Sequence, residues 1–164
     1  MMAGVCAPVT IVTTAEEGQP HGATVSAFAS LSLRPPMVTV ALDNASQLLA
    51  RIERTGRFAV NVLGRAQDEL AMLFARRAVD RFAETDWHLD HGLPRLLAAP
   101  GWIVCELARS VEGGDHRLLL GTVTHAVSTP AAPLVYSHRT FGTHSGFDRR
   151  PRKPITDHIH ACAQ

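Results

Sequence analysis

The pattern of apolar and polar positions in the first quarter of the chain predicts strands that fold back on one another. Residues 5–14 are apolar and β-branched, residues 16–19 carry the glycine of a turn, and residues 22–28 are extended again. This order is typical of a hairpin. Two consecutive prolines then interrupt the pattern, and residues 37–42 predict a third strand.

Two short helices are predicted after these strands. In the first, the segment 43–46 has residue types that cap helices, apolar positions follow at helical spacing, and Gly56 provides a stop. Residues 57–63 then predict a strand. In the second helix, residues 67–76, apolar positions again recur at helical spacing behind two acidic residues, which favour a helix N-terminus.

The C-terminal half of the chain predicts one long hairpin. Residues 102–111 and 116–127 are strand-like, and residues 112–115 have the Glu-Gly-Gly-Asp composition of a tight turn. Residues 134–136 predict a last short strand, whereas the mixed pattern of residues 81–96 predicts irregular structure. Six or seven strands joined by tight turns, with two short helices, favour a mainly β fold built as an antiparallel barrel.

Composition narrows the class of protein. A chain of 164 residues with 46% apolar and 19% charged residues has enough material for one folded domain. We expect that domain to span residues 1–146, with the basic, proline-bearing residues 147–164 as a mobile tail. A formal net charge of +1 argues against a nucleic-acid partner. The absence of a long apolar run or a signal-like start predicts no membrane association and a cytoplasmic location.

Cysteine and histidine positions predict neither a disulfide framework nor a metal site. The three cysteines, Cys6, Cys105 and Cys162, are far apart and odd in number. The nine histidines are not accompanied by a cysteine or glutamate at ligand spacing. We therefore expect no metal.

Small and hydroxylated residues crowd the segment 20–36, which otherwise has the pattern of a strand. Short side chains leave room along the main chain for a flat polar ligand, although a serine- and alanine-rich edge strand followed by a loop gives the same pattern. No strand is followed by a GxGxxG motif, so a nicotinamide nucleotide must bind in some way other than in a Rossmann crevice.

Several blocks of the chain, in this order, resemble the flavin reductase-like family of FMN-binding split barrels. The blocks are TVSAFASLSLRPPMVTVAL, DNASQLLARIERTGRFAVNVL, residues 67–74, Asp80-Arg81-Phe82, GGDHRLLLG and PLVYSHRTFG. The resemblance covers about residues 9–142. It implies an antiparallel Greek-key split β-barrel with two or three short helices.

The resemblance also implies an activity. Proteins of this family are the small reductase components of two-component flavin monooxygenases, so we expect NAD(P)H to give a hydride to bound FMN or FAD. The reduced flavin would then leave to serve a monooxygenase, and the protein is expected to be a homodimer. The alternatives are a permanent flavin-binding electron carrier or sensor, an enzyme that uses another cofactor such as deazaflavin F420, a bilin or haem, and a module without a ligand. The choices between FMN and FAD and between NADH and NADPH stay open.

The resemblance assigns candidate residues to the parts of the cofactors, with no catalytic side chain because hydride passes directly between them. The segment 24–32 would follow the isoalloxazine ring, with ordinary strand packing as the alternative. Its candidates are Thr24, Val25, Ser26, Ala27, Ser30 and Ser32. The start of the first helix is a candidate anion site for the flavin phosphate. There Ser46 would offer its hydroxyl beside Gln47, while Asp43 or Asn44 caps the helix; the alternative is that all three only cap.

Four further contacts complete the predicted site. Arg81 would bind phosphate or the edge of the ring, with a surface ion pair to Asp80 or Glu84 as the alternative. His116, directly after the turn, would position the nicotinamide nucleotide over the flavin; a lone histidine in a strand is otherwise usually structural. Tyr136 and Arg139 would line the cofactor or substrate end.

Overall fold

Strands make up most of the part of the chain that the structure describes. The structure is a computed structural model, and it describes residues 4–76 and 80–144. The elements are, in order, β1 Ala7–Pro8, β2 Thr10–Glu16, β3 Gln19–Val25, β4 Phe28–Leu33, β5 Pro36–Asp43, α1 Gln47–Thr55, β6 Arg57–Val62, α2 Asp68–Ala75, β7 Trp87–Asp90, β8 Leu93–Leu96, β9 Gly101–Gly113, β10 His116–Ser128, β11 Leu134–Ser137 and β12 Thr140–Thr143. The predicted tail, residues 147–164, lies outside the described residues.

Seven strands form one antiparallel sheet in the order β3-β2-β6-β9-β10-β5-β4. The edge strands β3 and β4 are joined by only Ser26 and Ala27. That link spans at most about 11 Å, whereas the edges of a flat seven-stranded sheet lie about 29 Å apart. The sheet must therefore curl until its two edges approach each other, which makes it a split barrel.

The fold class predicted from the sequence is confirmed. Strands β5, β10, β9 and β6 follow one another in space in a Greek-key order, and both predicted helices are present. Helix α1 packs its apolar face against the barrel and ends at Gly56, whose φ of 68° is the left-handed conformation that glycine adopts easily. Within the described residues, neither helix is long and apolar enough to cross a membrane.

Two parts of the sequence prediction were wrong. Residues 81–96 contain the hairpin β7–β8 instead of irregular structure, and the chain continues after β11 into β12, which was not predicted. Both hairpins turn on two residues with positive φ, His91 and Gly92 in one and His138 and Arg139 in the other. Such turns usually contain Asn-Gly or Asp-Gly, so these two carried only a weak signal.

The interior of the barrel is apolar and tightly packed. Phe58, Leu119 and Cys105 are fully buried in the main core cluster, and α1 adds Leu48, Leu49 and Ile52 to it. Burial raises the pKa of the Cys105 thiol to about 12, so this side chain acts as a small apolar group. Cys6 is exposed, and Cys162 lies outside the described residues.

A methyl group at position 121 should destabilise this core. A Cβ on Gly121 would lie 2.5 Å from Cζ of Phe58 and 3.0 Å from Cβ of Cys105. We expect Gly121→Ala to lower the free energy of unfolding by about 1–3 kcal/mol, measured by urea denaturation. Gly142→Ala is the control, since nothing lies within 4 Å of the added Cβ. Equal stability of the two variants would contradict the packing described here.

Candidate functional site

A cleft of about 960 Å³ runs along the free edge of β3. Its walls are β3 and the link to β4, the first turns of α1, the end of α2, the segment 80–82, and His116 at the start of β10. Among the strands that the structure describes, β3 pairs only with β2, so its other edge presents backbone groups without a strand partner to this cleft. The cleft therefore combines an open main-chain edge with the start of a helix.

Nine of the thirteen predicted site residues line this one cleft. They are Thr24, Val25, Ser26, Ala27, Asp43, Ser46, Gln47, Arg81 and His116. They come from β3, its link to β4, the β5–α1 loop, the start of α1, the segment after α2, and β10. Residues far apart in the sequence thus meet in one cleft.

The other four predicted residues are not among the lining residues of the cleft. Ser30 and Ser32 lie on β4, which the chain enters after it leaves the cleft at Ala27. Tyr136 lies on β11, in the small sheet β1-β11-β12, where its ring packs against Phe141 at 5.2 Å between centroids. Arg139 lies in the turn between β11 and β12. Within a single chain, the structure does not bring these four together with the other nine.

The backbone of β3 gives the cleft its hydrogen-bonding edge. The carbonyl of Gly22 points away from β2, since it accepts a hydrogen bond from Nη1 of Arg81 at 2.5 Å. Because backbone groups alternate in direction along an antiparallel strand, the N–H and carbonyl of Thr24 point the same way. The hydroxyl of Thr24 is used differently, because it donates to the carbonyl of Ala71 in α2 at 2.6 Å. Thr24 therefore offers main-chain groups to the cleft.

The strand pattern breaks at Ser26 and Ala27, and both residues are exposed to the cleft. The carbonyl of Ala27 accepts a hydrogen bond from the N–H of Ala41 at 2.9 Å, which fixes this link against β5. The small residues of this segment thus form a surface that is fixed in position and has little side-chain bulk. We call residues 24–27 the shelf.

The start of α1 is organised differently from the prediction. Ser46 is the N-cap residue, and its hydroxyl accepts a hydrogen bond from the N–H of Leu49 at 3.4 Å. Asp43 instead accepts from the N–H of Ala45 at 2.7 Å, and Asn44 donates to the carbonyl of Gly114 at 3.0 Å. The assignment of the cap to Asp43 or Asn44 was therefore wrong, because their side chains are used by the β5–α1 loop and the β9–β10 turn.

The first turn of α1 remains suited to an anion. It contains no acidic residue, and the first N–H groups of a helix have no acceptor within the helix. These N–H groups and the positive end of the helix dipole favour a negative group beside Ser46 and Gln47.

Arg81 uses its guanidinium to hold the wall of the cleft. It donates to the carbonyls of Gly22 and Arg76, and burial lowers its pKa. Asp80 accepts hydrogen bonds from the N–H groups of Phe82 and Ala83, both at 3.2 Å. In place of an ion pair with Asp80, Arg81 ties the segment 80–82 to β3.

His116 stands at the mouth of the cleft as the first residue of β10. Its Nδ1 lies 2.7 Å from Oδ1 of Asp115, and this hydrogen bond lowers the pKa of the Asp115 carboxyl. In the sheet His116 is the register partner of Asp43, which brings it next to the loop that starts α1. With Nδ1 engaged, Nε2 is the ring nitrogen left for a ligand.

Sequence reasoning missed two cationic or titratable residues that also line the cleft, Arg51 and His21. Nε of Arg51 is buried and lacks a hydrogen-bond acceptor among the described residues. A signal was present for Arg51, because it follows Gln47 by four residues and so lies on the same face of α1. His21 lies in the segment 20–36, where the pattern of short side chains gives no signal for a histidine at the site.

Comparison with known proteins gives the class of this protein. The family model of the Flavin reductase like domain matches residues 2–145. The reductase component of 4-nitrophenol 4-monooxygenase/4-nitrocatechol 2-monooxygenase from Rhodococcus opacus is 41% identical over 135 residues, which cover 82% of this chain and 72% of the relative. The NADH-dependent flavin reductase StyB from Pseudomonas fluorescens is 38% identical over 125 residues, 74% of this chain and 72% of the relative.

Solved structures agree with this result. The NADH:FAD oxidoreductase SgcE6 of Streptomyces globisporus C-1027 superposes with a TM-score of 0.83 at 32% identity, covering 88% of this chain and 89% of that chain. The flavin reductase PheA2 gives a TM-score of 0.81 at 32% identity, covering 88% and 94%. The chain therefore belongs to the flavin reductase-like family. It is an NAD(P)H:flavin oxidoreductase, as the resemblance of its motifs predicted.

The residues of the cleft are suited to a flavin. The shelf offers a flat main-chain surface with donors, the start of α1 offers an anion site, and the buried Nε of Arg51 lacks an acceptor among the described residues. A flavin has a flat tricyclic ring and a chain that carries a phosphate. It therefore needs a flat surface for the ring and an anion site for the phosphate.

Proposed function

We propose that the shelf, residues 24–27, holds the isoalloxazine ring of the flavin and that the start of α1 holds its phosphate. The observation that carries this assignment is the meeting of the free β3 edge and the N-terminus of α1 in one cleft. A flavin held there would supply the acceptor for the hydride of the nicotinamide nucleotide. The backbone N–H groups of the shelf would donate to the polar edge of the ring and stabilise negative charge there.

The remaining predicted contacts have separate roles in this proposal. Arg81 ties the segment 80–82 to β3 by donating to the carbonyl of Gly22, which holds the wall of the cleft beside the shelf. His116, through Nε2, positions the nicotinamide nucleotide over the ring. No side chain has to accept or donate a proton during hydride transfer, so the protein contributes stacking geometry and electrostatic stabilisation.

The experiment that tests this function follows NADH oxidation with and without added FMN or FAD. We expect turnover that depends on the added flavin, with the flavin released after each cycle. Tightly retained flavin without turnover would support the electron carrier instead. An absorbance spectrum of the purified protein that matched a deazaflavin, a bilin or haem would support the alternative cofactors.

We further propose that the reduced flavin serves a monooxygenase component in the cytoplasm. The relatives from Rhodococcus opacus and Mycobacterium tuberculosis are named as reductase components or subunits of monooxygenases, which supports this partner. Coupled assays with a flavin-dependent monooxygenase would detect product only when this protein and NADH are both present.

A homodimer is part of the same proposal. Leu31 and Leu33 on the edge strand β4 are 49% and 80% exposed, and Val111 and Leu118 face each other, partly exposed, on β9 and β10. Exposed apolar side chains beside an open sheet edge favour pairing with a second copy. Light scattering of the purified protein measures the oligomeric state directly.

Replacing His116 should affect the nucleotide more than the flavin. We expect His116→Ala to raise the KM for NADH about tenfold, the effect of losing a contact of about 1.4 kcal/mol, with less than about a twofold change in flavin affinity. The control is His88→Ala, because His88 lies on β7 outside the cleft lining. A variant that lost flavin affinity while keeping its KM for NADH would reject this role for His116.

A further inference from the structure

Two arginines and one glutamate leave a net positive charge at the end of the cleft beyond the start of α1. Both carboxylate oxygens of Glu16 accept hydrogen bonds from Arg54, at 2.6 and 2.9 Å. Arg51 approaches the same carboxylate only to 3.4 Å through Nε, an atom that is buried without a hydrogen-bond acceptor among the described residues. Two guanidinium groups thus share one carboxylate, and Arg51 is the one that lines the cleft.

The opposite wall at this end carries His21, on β3. Burial lowers the pKa of His21, and the charge of Arg51 lowers it further. Both residues line the cleft, and the neutral form of His21 that these effects favour still has one ring N–H to donate to an anion. The two carboxylates in the cleft lining are engaged elsewhere, Asp43 with Ala45 and Asp80 with the N–H groups of Phe82 and Ala83.

The positions of Arg51 and His21 along the cleft, relative to the shelf and the start of α1, determine which part of a ligand they could contact. Arg51 lies one helical turn after Gln47, about 6 Å further along the axis of α1. His21 lies three residues before Thr24 on β3, about 10 Å from the start of the shelf. Moving away from the shelf along these two walls, the anion site at the start of α1 therefore comes first, and the Arg51–His21 pair follows it.

From this order we infer that Arg51 and His21 form a second anion subsite, which receives the second phosphoryl group of FAD and makes FAD the preferred flavin over FMN. The inference rests on the proposed function, since it requires the flavin phosphate at the start of α1. In FAD a bridging oxygen joins the second phosphate to the first, so the second must lie next to the first site. The guanidinium of Arg51 suits phosphate oxygens because it donates several N–H groups in a fixed planar geometry.

The test measures flavin affinity by quenching of flavin fluorescence, with FAD and FMN on the same preparations. We expect the unaltered protein to bind FAD more tightly than FMN. Arg51→Gln should weaken FAD binding about tenfold and FMN binding less than about twofold. Glu16→Gln should act in the opposite direction and strengthen FAD binding about threefold, because Arg51 then has no carboxylate beside it.

The matched control is Arg109→Gln, which removes the same charge from an exposed position on β9 outside the cleft lining. It should leave the ratio of FAD to FMN affinity unchanged, and thermal melting checks that every variant is folded. An equal loss of FMN and FAD affinity in Arg51→Gln would overturn the inference, because Arg51 would then bind the phosphate that both flavins share. A selective rise in the KM for NADPH over NADH would overturn it as well, by assigning the anion to the nucleotide.

Failure of the proposed function gives a different result. In that case the flavin lies away from residues 24–27, so Ala27→Leu, which would fill the shelf, keeps the flavin affinity of the unaltered protein, and Arg51→Gln changes neither FMN nor FAD binding. Weaker flavin binding in Ala27→Leu together with an unchanged FAD to FMN ratio in Arg51→Gln would reject the second subsite alone.

Discussion

Ala27→Leu should weaken flavin binding about 100-fold, and NADH oxidation at low flavin concentration should fall with it. Ala27 is exposed to the cleft, and its carbonyl is held by the N–H of Ala41 at 2.9 Å, so the backbone cannot easily move a larger side chain aside. Three added carbon atoms would occupy the surface on which the ring is proposed to lie. A loss of that size corresponds to about 2.7 kcal/mol, within the usual cost of overpacking a tight site.

The control for this substitution is Ala50→Leu. Ala50 lies on the exposed face of α1, outside the cleft lining, and leucine is a good helix former. Fluorescence titration with FMN should give the same affinity for Ala50→Leu as for the unaltered protein. If Ala27→Leu also bound FMN normally, the ring would have to lie somewhere other than the shelf.

Asn61→Ala should produce the largest loss of stability, about 2–4 kcal/mol in the free energy of unfolding. Asn61 on β6 is fully buried, and its amide joins three segments. Its oxygen accepts from the N–H of Leu96 at 2.9 Å, and its nitrogen donates to the carbonyl of Ile11 at 3.2 Å and the hydroxyl of Thr13 at 3.3 Å. Alanine would leave a buried backbone N–H without its acceptor.

Asn44→Ala is the matched control for this second prediction. Asn44 also donates a hydrogen bond, to the carbonyl of Gly114 at 3.0 Å, but it is exposed, so water replaces the lost partner. We expect its effect in urea denaturation to stay below about 1 kcal/mol. Similar losses of stability in the two variants would mean that burial of the Asn61 amide does not determine how much its hydrogen bonds contribute to the free energy of unfolding.

The sequence predicted the main strands because their apolar residues alternate or cluster between clear turn signals. Gly56 and the Glu-Gly-Gly-Asp turn at residues 112–115 marked ends that the structure confirms. The sequence did not predict the hairpin β7–β8, where Pro94 interrupts the pattern and the turn contains His91. Its place depends on long-range bonds, such as those from Thr13 to Pro94 and from Leu96 to Asn61, which no local pattern records.

The sequence predicted the part of the candidate site that local patterns record, and it did not predict the part that depends on long-range packing. Residue types typical of helix starts and of small-residue strands are local signals, and they led to the shelf and to Ser46. Several residues before α1 are of types that cap helices, and the hydrogen bonds of each decide which one does so. The side chains of Asp43 and Asn44 already bond the N–H of Ala45 and the carbonyl of Gly114. For Arg51 the sequence carried only its spacing of four residues from Gln47, and the packing of α1 beside β2 is what brings it near Glu16 and into the cleft.

A crystal structure of the protein soaked with FMN tests the central claim most directly. The account predicts that the isoalloxazine ring lies against residues 24–27, with backbone N–H groups of the shelf within hydrogen-bond distance of its polar edge and the phosphate beside Ser46 and Gln47. A ring bound at another surface, or a shelf left empty at saturating FMN, would contradict it.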